Sequence, residues 1–87
     1  MALYMLLTDN YPLEDLRTAF EADDCLLVLA DGVYQLPFLT NFKQIYLRNK
    51  DLQQRGLSTD NYNNTYIIDD EEWVSLTLKH KPIVSLK

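Results

Sequence analysis

The sequence predicts a three-layer α/β/α domain whose mostly parallel sheet has four or five strands. Three observations lead there. Residues 3–7 and 25–30 are continuously apolar, and runs apolar on both faces suit central strands of a parallel sheet covered from both sides. Between them Leu13, Leu16 and Phe20 recur at spacings of three and four, which places them on one face of a helix. Strand, helix and strand within about 30 residues make the βαβ unit, whose crossover brings the two strands parallel.

The elements follow in order. The first strand, residues 3–7, ends at the polar Thr8-Asp9-Asn10. Pro12 suits a first helical turn, and Glu14 and Asp15 complement the positive end of the helix dipole. The second strand, residues 25–30, lies between Asp23-Asp24 and the turn pair Asp31-Gly32. Pro37 reduces residues 33–42 to a short helical turn and a loop. A third strand is expected over residues 44–48 and a short helix over 50–55, with Gly56 placed to end it. Residues 58–65 are polar and Asn-rich, a loop before a fourth strand at 66–68. The final helix carries the clearest signals. Asp69 is its cap and Glu72 the capping-box partner, its acidic first turn and Lys79-His80-Lys81 complement the dipole, and Pro82 stops it. Ile83-Val84 is an edge strand or a docking tail.

Composition narrows the function. The chain of 87 residues is read as one domain, residues 1–87, and its 47% hydrophobic and 24% charged content is that of a globular protein. No run approaches the ~18 apolar residues of a membrane span, and the apolar start lacks the basic region of a signal peptide. With one cysteine and therefore no internal disulfide, a reducing, cytoplasmic setting is expected. The net charge of −5, with scattered basic residues, argues against direct nucleic-acid binding.

The candidate chemical groups are few. Cys25 opens an apolar strand behind two acids, where desolvation and negative charge disfavour a thiolate, so a structural thiol is expected. His80 is the single histidine and lacks the companions of a metal set. The acidic run 69–72 is explained by a helix N-terminus and lacks the spacing of a calcium loop. Asp31 and Gly32 sit at the carboxyl end of a strand, where ligands tend to bind in open α/β sheets. Trp73, Leu76 and His80 share a helix face and are candidates for packing or for an interface. No catalytic, cofactor-binding or metal residues are expected.

Three segments together resemble the TusB/DsrH family of sulfur-relay subunits: residues 24–33 (DCLLVLADGV), 45–57 (IYLRNKDLQQRGL) and 67–80 (IIDDEEWVSLTLKH). The resemblance implies a non-catalytic subunit of a heteromer with TusC-like and TusD-like chains, two copies of each. The complex passes persulfide sulfur towards 2-thiolation of the tRNA wobble uridine, and the persulfide cysteine belongs to the TusD-like partner. The DsrH branch, associated with sulfur oxidation, carries a cysteine in the first helix. Residues 13–22 have none here, which favours the TusB branch. The segment between Gly32 and Ile45 is short for the family, and the tail ends in Leu86-Lys87 in place of a tryptophan. The competing expectation is a self-associating α/β binding domain without sulfur chemistry; a thiol enzyme using Cys25 ranks below both.

Overall fold

The computed structural model describes residues 2–60 and 62–87. Strands β1 (Leu3–Leu6), β2 (Cys25–Val28), β3 (Ile45–Arg48), β4 (Thr65–Ile68) and β5 (Ile83–Leu86) form one sheet in the order β4-β3-β2-β1-β5. All four pairings are parallel. The tail left open as strand or docking segment is therefore an edge strand, paired with β1. Among the described residues no helix is long and apolar enough to cross a membrane.

The register assigns each side chain to a layer, because neighbours in register point to the same face and alternate along each strand. Leu6, Val28, Leu47 and Leu86 align across four strands. They pack with Leu16 of helix α1 (Leu13–Ala19), Leu52 of helix α2 (Asn49–Gln54), and Val33, Leu36 and Leu39 of the intervening segment. Leu3, Leu27, Leu29 and Ile68 face the other way, under Trp73 and Leu76 of helix α3 (Asp70–Lys79). Helices on both faces explain why the first two strands carry no polar alternation.

Three local features build this frame. Gly56 adopts φ 63° just after α2. Its N–H donates to the Gln53 carbonyl and that of Leu57 to Leu52, the Schellman closure that a left-handed glycine allows. At the start of α3 the capping box is complete: Glu72 N–H donates to the Asp69 carboxylate at 2.8 Å, and Asp69 N–H to Glu72 at 3.3 Å. Asp24 clamps the lower end of the sheet, accepting from the N–H groups of Ala2 and Glu21, each at 2.8 Å.

One segment departs from expectation. In place of a short turn and loop, Ala30–Phe38 is a 3-10 helix that runs through Pro37. A 3-10 helix has three residues per turn, and Val33, Leu36 and Leu39, three apart, are all buried while Tyr34 and Phe38 are exposed. That period was present in the sequence, where the proline masked it. The second strand also stops two residues early, at Val28, because Ala30 turns left-handed at φ 51°, a conformation costing a non-glycine roughly 1–2 kcal/mol.

Gly32 proves to be more than a turn residue. A Cβ there would fall onto the Leu6 carbonyl oxygen and lie 2.9 Å from its carbon. That same carbonyl accepts the Leu29 N–H that ends the β1–β2 ladder. Gly32→Ala should therefore destabilise the chain by about 1–3 kcal/mol in urea unfolding. An unchanged midpoint would mean that the end of β1 yields freely.

Candidate functional site

The chemistry-bearing side chains gather at two places joined by α3. The first lies at the carboxyl ends of β2 and β3. Arg48 closes β3 and donates to buried Asp51 from Nε at 3.0 Å and Nη2 at 3.3 Å. Its guanidinium carbon stands 4.5 Å from the centre of the Trp73 ring, a cation–π contact. The hydrogen bond to Asp51 raises the Arg48 pKa further against the opposing effect of burial, so this cation is permanent. Arg55 reaches back to Asp31 at 2.9 Å from Nη2 and caps the Asp51 carbonyl at 3.1 Å from Nη1. Asp31 thus anchors the 3-10 segment to α2. Each of these charges is engaged by another residue of the chain, which makes the cluster a brace.

The second place lies at the opposite end of α3. His80 is its C-cap and is 6% exposed. The imidazole Nδ1 lies 3.0 Å from the Leu76 carbonyl oxygen and Nε2 lies 3.1 Å from Cys25 Sγ. A carbonyl oxygen only accepts, so Nδ1 carries a proton; in the tautomer that this contact selects, Nε2 turns its lone pair towards the thiol. Burial, and then the Asp24 carboxylate, push the Cys25 thiol up from its ordinary pKa. In that tautomer the S–H donates to Nε2. Tyr46 borders the same site; burial, then Cys25 and Tyr66, push its phenol up.

Trp73 and Leu76 both pack on the sheet face formed by Leu3, Leu27, Leu29 and Ile68, while His80 is buried at the helix end. The spacing-derived face is therefore turned inward on the chain's own sheet. Asp31 and Gly32 lie beyond β2, remote in role from these three: one is an ion-pair partner of Arg55 and the other a close-packed contact of β1. Sequence reading missed two features. It found no base near Cys25, yet His80 lies beside it across 55 positions. It also gave Arg48 no role. The signal for both was indirect: a lone cysteine opening one strand, and the lone histidine just ahead of another strand of the same parallel sheet.

Two expectations can be measured. Trp73 is partly buried with its ring under Arg48, so Trp73→Ala should cost about 2–4 kcal/mol by urea unfolding, below the full cost of a completely buried tryptophan. Burial works to raise the Asp24 carboxyl, but the N–H groups of Ala2 and Glu21 outweigh it, and the folded value lies below the ordinary one. A group depressed on folding stabilises above its unfolded pKa, and that contribution is lost as pH falls through its folded value. Asp24→Asn should lower the neutral-pH midpoint and flatten the acid loss of stability below about pH 4.

The geometry can be set beside known proteins. A family model described as DsrH like protein matches residues 8–83, from just past β1 to the first residue of β5 and spanning both Cys25 and His80. No curated protein matches the chain.

Proposed function

Since the chain belongs to the DsrH-like family, a family of sulfur-relay subunits, we propose that it is a non-catalytic subunit of a TusBCD-like complex. Its partners are TusC-like and TusD-like chains, with two copies of each, and the complex serves 2-thiolation of the tRNA wobble uridine in the cytoplasm. The travelling persulfide is carried by the cysteine of the TusD-like partner. The absence of a cysteine from residues 13–22 supports the TusB branch over sulfur oxidation.

The observation that carries the subunit reading is the unequal cover of the sheet. Five strands at ~4.8 Å spacing are about 19 Å wide. Among the described residues two α-helices and the 3-10 helix pack on one face, but the other has only α3, about 15 Å long for its ten residues. Tyr66 and Ile83, on the edge strands of that face, are 48% and 44% exposed. On the outer side of α3, Val74 and Leu78 are 55% and 74% exposed. Tyr34, Phe38 and Ile67 are exposed on the other face, but Val74 and Leu78 stand four apart on the outer side of one helix, and exposed apolar groups so placed mark a protein interface. The partner that suits this side is a relay subunit with an apolar patch and a basic rim, because Asp70, Glu71 and Glu72 border it.

Leu78→Asp tests the assignment without touching the core. The variant should keep its circular dichroism and unfolding midpoint, yet lose co-purification with the TusC-like and TusD-like chains, a weakening of at least ~30-fold, about 2 kcal/mol. Deleting the gene should lower wobble-uridine thiolation. A chain that stays monomeric beside both partners contradicts the subunit reading, and unchanged thiolation contradicts the tRNA destination.

A further inference from the structure

The Cys25–His80 pair holds the end of α3 against β2 and also has the parts of a reactive thiol. We propose that it is a covalent site for electrophilic divalent sulfur, supplied as a disulfide or a persulfide, with Cys25 the nucleophile and His80 the proton acceptor.

The case rests on geometry. A nucleophilic cysteine needs a base within hydrogen-bond reach and a third group that orients the base. His80 Nε2 is 3.1 Å from Sγ, and the Leu76 carbonyl, 3.0 Å from Nδ1, fixes both tautomer and ring plane. The imidazole is more than nine-tenths buried, while Cys25 is only partly so. Of the two residues, Cys25 is therefore the more open to a reagent. The groups facing the sulfur are His80 from the end of α3, Asp24 from its own strand end and Tyr46 from β3.

Burial and Asp24 keep the thiol protonated at rest, so reaction depends on proton removal as the new bond forms, which is general-base catalysis. Nε2 takes the S–H proton while Sγ attacks one sulfur of R–S–S–R; the S–S bond breaks, Cys25–S–S–R forms, and the departing thiolate takes the proton from His80 to leave as R–SH. With a persulfide R–S–SH, attack at the outer sulfur gives Cys25–S–SH and R–SH. Both reactions balance without a further oxidant. In either case the adduct replaces the S–H···N bond that ties the end of α3 to β2, so sulfur loading bears on the least covered face of the sheet. The relay thiol of the TusD-like partner is a separate group. Because the site is assayed on this chain alone, its failure leaves the assembly reading standing, and the reverse holds.

The test treats the full chain at neutral pH with oxidised glutathione in one arm and inorganic polysulfide in the other, following Cys25 by mass spectrometry. The same reactions on the urea-unfolded chain give the reference rate. The folded chain should react faster than the unfolded one with at least one probe, gaining a glutathione or a single sulfur atom, and Cys25→Ala should gain neither. His80→Gln should slow the folded reaction at least ~10-fold while its circular dichroism is unchanged. An adduct from one probe alone identifies the source. A folded thiol slower than the unfolded one with both probes overturns the proposal, because burial then dominates and the contact is structural; this comparison decides the matter even if His80→Gln does not fold. An unchanged rate in a folded His80→Gln overturns the role of the base.

Discussion

The packing of one helix across one sheet face is the constraint on which the rest depends. Helix α3 leaves β4 at one edge of the sheet and delivers the chain to β5 at the other, so it must cross the whole face that it covers. It is held at both ends. At its start stand the capping box and the Arg48 guanidinium over Trp73; at its finish, His80 meets Cys25. Between them, Trp73 and Leu76 supply the apolar contact with Leu3, Leu27, Leu29 and Ile68. Removing that contact exposes the central strands, because among the described residues no second helix shares the load.

The same economy links fold to function. A chain of this length buries a smaller fraction of its surface than a larger domain does, and exposed apolar side chains remain on both faces, Tyr34, Phe38 and Ile67 on one and Tyr66, Val74, Leu78 and Ile83 on the other. The face under α1, α2 and the 3-10 helix contains the larger buried cluster, including Leu16, Val33, Leu39 and Leu47. The α3 side keeps Val74 and Leu78 in contact with solvent. A partner that covers α3 completes the domain and adds stability in proportion to its binding. On the proposed subunit reading, what the chain offers the relay here is a surface.

Much of this was legible in the residues and some was not, for physical reasons. The strands under two layers were visible because burial on both faces removes alternation, and α3 was visible because its caps are local signals within four residues. Gly56 was legible for the same reason, as a helix-ending glycine. The 3-10 helix was hidden because Pro37 is read against α-helical rules, although Val33, Leu36 and Leu39 keep the three-residue period. The early end of β2 depends on a left-handed Ala30, which no composition rule favours. The Cys25–His80 contact was beyond reach, since its partners meet only once β5 is known to pair with β1 and β1 with β2. Local chemistry is written in neighbouring residues; a site assembled across 55 positions waits for the topology.

The central claim is that α3 is both the sole helical cover of one sheet face among the described residues and the side on which a partner docks. Amide hydrogen exchange of the chain, free and in complex with the TusC-like and TusD-like subunits, addresses it directly. The account predicts that exchange in the free chain is fastest through α3, β4 and β5, and that assembly slows those segments while the α1 and α2 face changes little. Slower exchange confined to α1 and α2, with α3 unaltered, would contradict it.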